Sequence, residues 1–75
     1  MDETLDLRGL KCPLPALLAK KALARLAAGA GLTVLADDPM APVDIPHMCH
    51  GEGHAVESVA SHNGTSEFFI RRAAP

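Results

Sequence analysis

The stretch CPLPALLAKKALARLAAG, Cys12 to Gly29, decides how the rest of the chain is read. Pro13 to Ala28 predict the strongest helix of the sequence. A proline suits a first helical turn, where its missing N–H removes nothing the helix needs, and Pro15 still lies within that turn. The run ALLAKKALARLAA contains only strong helix formers, and Gly29 is a candidate C-terminal cap. At about 100° per residue, Lys20, Lys21 and Arg25 share one side. The other side carries Ala16, Ala19, Leu23, Leu26 and Ala27, the expected core face. Leu14, Leu17 and Leu18 fall partly on the charged side with Lys21, near the cysteine end. They either pack on loops or form a partner-docking patch beside the thiol.

Working outward, TLDLRG alternates apolar and polar residues at Leu5 and Leu7 and predicts a short strand ending at Gly9. LTVLADDP predicts a strand that stops at a turn. In MAPVDIPHMCHGEGH, Pro42 and Pro46 precede a few residues compatible with a short helix, which Gly51 and Gly53 end or weaken. AVESVASH alternates imperfectly at Val56 and Val59. Asn63-Gly64 is a strong hairpin signal, and SEFFIRR follows as the last strand. AAP is expected to fray. The order β-α-β-α-β-β predicts an α/β (α+β) two-layer sandwich, a four-stranded mixed sheet with two helices on one face.

At 75 residues, with no repeat or linker, the chain reads as one domain, 1–75. A chain of this size buries only about 60% of its unfolded surface, which leaves little volume for a deep substrate cavity. Chemistry is expected on the surface. A composition 48% hydrophobic and 21% charged argues for a folded chain over a disordered one. With no Trp or Tyr, aliphatic residues must fill most of the core, helped by Phe68 and Phe69. A formal charge of −2 and scarce aromatics give no case for direct nucleic-acid binding. No apolar run approaches the ~20 residues that span a bilayer, and the acidic start MDETLDL does not resemble a signal peptide. A cytoplasmic, reduced state is therefore expected for both cysteines.

Cys12 precedes a helix whose N1 is expected to be Pro13, so it is assigned the N-cap. Unpaired N–H groups and the positive helix end would favour a thiolate there, and Arg8 and Lys11 could add positive charge. Such settings move a cysteine from a pKa of ~8.5 into the range ~3.5–7.5. No CxxC is present, so a disulfide within the motif is excluded, and no Ser/His/Asp spacing suggests a hydrolase. An activated thiol without catalytic partners suits a group that is accepted and passed on. The competing reading is a buried structural cysteine.

Cys12-Pro13-Leu14-Pro15, preceded by LDLRGL and followed by Asp37-Asp38-Pro39 and Asp44-Ile45-Pro46, resembles the TusA/SirA family of small sulfur carriers. The likeness covers nearly the whole chain. It implies a two-layer α/β sandwich, in agreement with the order above. It also implies that Cys12 takes sulfane sulfur as a persulfide from a cysteine desulfurase or rhodanese-like donor. The sulfur would pass to an acceptor protein serving tRNA thiolation, molybdenum-cofactor enzymes or sulfur oxidation. No cofactor is implied, and a monomer is the simplest state for a carrier that enters its partners' sites. Leu14 departs from relatives with a charged residue at the variable CPxP position, which bears on partner choice.

HMCHGEGH offers an alternative. In a continuous helix His47, His50 and His54 would share a face, with Cys49 as a soft ligand, making a metal- or redox-responsive module. Two glycines and an unfamiliar spacing count against it. Cys49 and His54 also fall where relatives commonly carry these residues, and Cys49 is expected to pack beneath the second helix. A resolving disulfide with Cys12 is the lesser reading. Asp37 and Asp38 are read as turn and N-capping groups, His62 as exposed, and Arg71-Arg72 as a solvated strand end.

Overall fold

A computed structural model describes residues 2–73 of the chain. Four strands and two helices follow in order: β1 (Glu3–Asp6), α1 (Leu14–Arg25), β2 (Gly31–Ala36), α2 (Ala41–Glu52), β3 (Ala55–His62) and β4 (Thr65–Arg71). The sheet order is β1-β2-β4-β3. β1 and β2 are parallel, which requires a crossover, and α1 supplies it. The other two pairings are antiparallel. The expected β-α-β-α-β-β order and mixed four-stranded sheet are present.

The helices cover one sheet face. Leu32, Val34, Phe68 and Ile70 from the strands, Leu23 from α1 and Ile45 from α2 have no accessible surface. Alternate residues of β2 and β4, such as Leu35, Glu67 and Phe69, point to the uncovered face and are half-buried or exposed, as period-two geometry demands. At the hairpin end of that face lies an open groove of about 350 Å³, lined by Arg8, Leu35, Ala60, His62, Asn63, Thr65 and Glu67.

Helix α1 starts at Leu14 and ends at Arg25, inside the expected limits at both ends. Its buried residues are Pro15, Ala19, Ala22 and Leu23, so the core stripe is rotated from the expected one. Ala16 and Leu26 pack at its flank, and Ala27 is exposed because the chain has already left the helix. Leu26 is extended, and the Leu23 carbonyl, which accepts Leu26 N–H at 3.2 Å, also accepts a hydrogen bond from Arg72 Nε at 2.7 Å. Gly29 therefore serves the following turn, not the helix cap. The Arg71-Arg72 expectation fails for the same reason: Arg72 holds α1, while Arg71 pairs with Glu57 at 3.2 Å and lies over the Phe69 ring.

Helix α2 is twelve residues, longer than its prolines and glycines suggested. Pro42 sits in the first turn, where it costs little. At the other end Gly53 is left-handed, its N–H bonds the His50 carbonyl, and His54 N–H bonds the Cys49 carbonyl at 2.8 Å. That paired closure is a Schellman cap, so Gly53 finishes the helix cleanly.

The uneven pattern of β3 also has a cause. Val56 faces Ile70 and Val59 faces Phe68, while Ser58 faces Phe69, leaving Glu57 as the extra residue of a bulge. The bulge puts two valines three positions apart on the same face. Asn63 and Gly64 both have positive φ, the two-residue turn that suits a twisted hairpin. A Cβ at Gly31 would stand 2.7 Å from Phe69 Cζ, so a side chain there would force the Phe69 ring to shift. Of the AAP tail, Ala73 donates its N–H to His54 Nδ1 at 2.9 Å, and the last two residues lie outside the described range.

Candidate functional site

Cys12 lies where the approach to α1 meets the first turn of α2. It does not occupy the N-cap: Pro13 does, and no side chain caps α1. Leu14 N–H is spent on the Lys11 carbonyl at 2.9 Å, and Pro15 has none to offer. The expected supply of free amides at the sulfur is thereby reduced. Arg8 supplies no charge there either, because its guanidinium forms two hydrogen bonds with Asp6, at 2.7 and 2.9 Å. That pairing holds the Asp6 carboxyl down at about 2. Lys11 is exposed beside Cys12 and forms no ion pair among the described residues.

The exposed Cys12 thiol instead donates to Asp44 Oδ2, with Sγ 2.8 Å away. Asp44 belongs to the first turn of α2, 32 residues further along the chain. Asp38, only 8% exposed, is the second carboxylate of the group; the ligand atoms of Cys12, Asp38 and Asp44 lie within 4.8 Å of one another. The effect on the thiol is opposite to the one expected. The hydrogen bond to Asp44 foremost, then desolvation and the charges of Asp44 and Asp38, raise the Cys12 pKa above its ordinary value. In the free chain the resting form is the thiol. The spacing that makes this contact has no signature in sequence, although Asp44 lies in the Asp-Ile-Pro stretch already singled out.

Asp37 and Asp38 hold the frame. Asp37 Oδ1 accepts Gly9 N–H at 2.9 Å, tying the loop after β1 to the turn after β2. Asp38 Oδ2 accepts Met40 N–H at 3.3 Å, and its carbonyl accepts Ala41 N–H at 3.0 Å. They shape the turn as expected, although Met40 occupies the N-cap of α2. Hydrogen bonds hold the three-residue group in this structure, the thiol on Asp44 and Asp38 on the Met40 amide.

Around this cluster the surface is apolar. Leu14 and Leu17 on α1 are 46% and 55% exposed, and Met40 and Val43 at the start of α2 are 47% and 59% exposed. Leu18 is half-buried against the core, and Lys21 is exposed. Met40 and Val43 escaped the sequence reading, because Pro42 and Pro46 obscured the helix that presents them.

The His47, Cys49, His50 and His54 set is not assembled. Cys49 points into the core with no accessible surface, and burial pushes its thiol up to about 11. His54 lies beyond the helix end and spends Nδ1 on Ala73. His47 and His50 are exposed, and these four residues form no metal-ligating group among the described residues. Cys49 is thus where packing was expected to put it. No helix among the described residues is long and apolar enough to cross a membrane.

Comparison with known proteins places the chain in a family and agrees with its fold. A family model described as Sulfurtransferase TusA matches residues 3–72. A Neisseria meningitidis serogroup A protein is 52% identical over 69 residues, 92% of this chain and 93% of the relative. The sulfur carrier protein TusA of Pseudomonas entomophila is 41% identical over 73 residues, 97% of this chain and 91% of its own. Among solved structures, a SirA-like protein of Desulfitobacterium hafniense superposes with a TM-score of 0.83 at 37% identity, covering 96% of this chain and 99% of that one. The chain belongs to the TusA family.

Proposed function

We propose that this protein is a sulfur carrier, a single domain that accepts sulfane sulfur on Cys12 and delivers it to another protein. The observation that carries the reading is the contrast in access. One thiol is exposed at the meeting point of two helix starts, ringed by exposed Leu14, Leu17, Met40 and Val43, and the other is sealed in the core. A macromolecular donor can reach the first and not the second.

The chemistry is a pair of sulfur exchanges. The Cys12 thiol gives its proton to solvent, and the thiolate attacks the outer sulfur of a donor persulfide, R–S–SH. The donor's S–S bond breaks, its electron pair leaves on R–S⁻, and that thiolate takes up a proton. Cys12 now carries the persulfide. In delivery an acceptor thiolate attacks the outer sulfur, the Cys12–sulfur bond breaks, and Cys12 recovers a proton. No net oxidation occurs, and no cofactor is required. The protein works stoichiometrically, between a desulfurase or rhodanese-like donor and an acceptor, and not as an enzyme on its own. The reducing cytoplasm suits two free thiols. The acceptor sets the destination, whether tRNA thiolation, molybdenum-cofactor enzymes or sulfur oxidation. Leu14, Leu17, Leu18 and Lys21, with Met40 and Val43, form the docking face. Pro13 and Pro15 stiffen the approach to α1.

Intact mass tests this. Incubation with a cysteine desulfurase and L-cysteine, or with a rhodanese and thiosulfate, adds the mass of one sulfur. Cys12→Ser abolishes the gain and Cys49→Ser keeps it; the reverse pattern contradicts the reading.

A further inference from the structure

The Cys12–Asp44 hydrogen bond is a poor arrangement for a nucleophile, since the acceptor is an anion that opposes loss of the proton. Every charged group near the sulfur bears on the point. From the turn after β2 comes Asp38, from the first turn of α2 comes Asp44, and from the approach to α1 comes Lys11, the sequence neighbour of Cys12. The first turn of α1 brings only Leu14, Pro15 and Ala16.

The chain does not neutralise these carboxylates itself. Arg8 is held by Asp6, Lys20 pairs with Glu52 at 3.6 Å, Arg71 pairs with Glu57, and Arg72 bonds the Leu23 carbonyl. No ion pair to Asp38 or Asp44 forms among the described residues. Two carboxylates therefore face a thiol inside an apolar rim, one of them nearly buried, and neither is ion-paired among the described residues, Lys11 beside the thiol pairing with neither.

We propose that Asp44 is a gate on Cys12, opened when a partner protein places an arginine or lysine against the Asp38–Asp44 pair. The proposal rests on the carrier reading and deepens it by naming what both partners must present. A cation at the pair removes the charge that opposes the Cys12 anion and competes for the Asp44 oxygen that holds the S–H. The same anion is the nucleophile when sulfur is taken up and the leaving group when it is delivered. One gate therefore governs both steps. In the free carrier it is shut, and small oxidants and electrophiles meet a thiol. In a docked complex the apolar rim excludes water, which strengthens the pairing of cation and carboxylates.

Two rates measured on the same variants test it. Alkylation by iodoacetamide as a function of pH reads the ionisation of free Cys12; loading by a cysteine desulfurase with L-cysteine reads the docked state. Asp44→Asn lowers the pH midpoint of alkylation, and one unit would be a tenfold faster reaction below the midpoint. The same substitution slows desulfurase loading several-fold, because the partner's cation has lost its carboxylate. Asp44→Glu restores both toward the original values. In the unmutated chain, salt slows desulfurase loading more than it slows loading by glutathione persulfide, a donor without a docking face.

An unmoved alkylation midpoint overturns the gate. Desulfurase loading that holds or rises in Asp44→Asn overturns the partner cation. The salt comparison needs no variant, so it decides the matter if Asp44→Asn does not fold; equal salt dependence of the two donors contradicts the proposal. Failure of the unmutated chain to gain sulfur from any of these donors would instead remove the carrier reading, whatever the alkylation profiles show.

Discussion

The two cysteines of this chain both hold their protons more tightly than an ordinary thiol, and for opposite reasons. Cys49 is pushed up to about 11 by burial alone, in a core where no solvent or partner reaches it. Cys12 is raised chiefly by an acceptor, Asp44, at an exposed position. Burial is a property of the fold and is lifted only by opening it. A neighbouring carboxylate is a local charge that another protein can neutralise. Access therefore separates the carrier thiol from the structural one more sharply than acidity does.

The widest gap should be seen in alkylation of the folded chain. Cys12 should react directly from the folded state, slowed by the small fraction ionised, while Cys49 reacts only through opened states, which in a stable domain are populated at ~10⁻³ or less. Site-resolved labelling by mass spectrometry measures the ratio, and comparable rates would break the contrast. Thinning the wall around Cys49 sharpens it. Ile45 lies one helical turn before Cys49, equally buried, and Ile45→Ala should cost about 2–5 kcal/mol by leaving a cavity. Where opening limits the reaction, Cys49 labelling should rise by a factor of order 30 or more, with Cys12 labelling unchanged.

Cys49→Ser should keep full sulfur loading yet lower the denaturation free energy by about 1–3 kcal/mol, because a hydroxyl needs a hydrogen bond the apolar site does not provide. A neutral effect in denaturant titration would mean the site is more polar than its neighbours indicate.

The smallest effect concerns His54, whose pKa is lowered below 6.5 by burial first and Arg72 second, against the pull of Glu52. The unfolded chain then binds a proton before the folded one. The contribution is full above 6.5 and is lost as pH falls below that value toward the folded pKa. Protonation of Nδ1 would also cost the bond from Ala73 N–H. Thermal unfolding between pH 7 and 5 should show this loss, and His54→Asn should remove it; an unchanged pH dependence would contradict it.

Much of the fold was legible because local signals agreed with one another. The helix-forming run after Pro15, the Asn63-Gly64 turn and the apolar stretch of β2 each specify their own element. The errors arose where long-range contacts override local rules. The end of α1 is decided by Arg72, 49 residues beyond Leu23. Helix α2 holds Pro42 in its first turn, carries Pro46 in its interior at the loss of one backbone hydrogen bond, and is closed by Gly53 as a cap. The alternation of β3 is broken by a bulge at Glu57 that only the pairing with β4 shows.

At the site, the CPxP stretch singled out Cys12, and its exposure agrees. Its charge state was misread, because the helix-end argument counted amides that Leu14 and the prolines had already removed. Asp44 is invisible as a partner until α2 is folded against α1.

The most direct measurement is the position of the sulfur. After loading from a desulfurase and L-cysteine, the chain is digested without reductant and its peptides are weighed. The account predicts the added sulfur on the peptide that contains Cys12 and none on the peptide that contains Cys49. Sulfur found on Cys49 in the folded protein would contradict it.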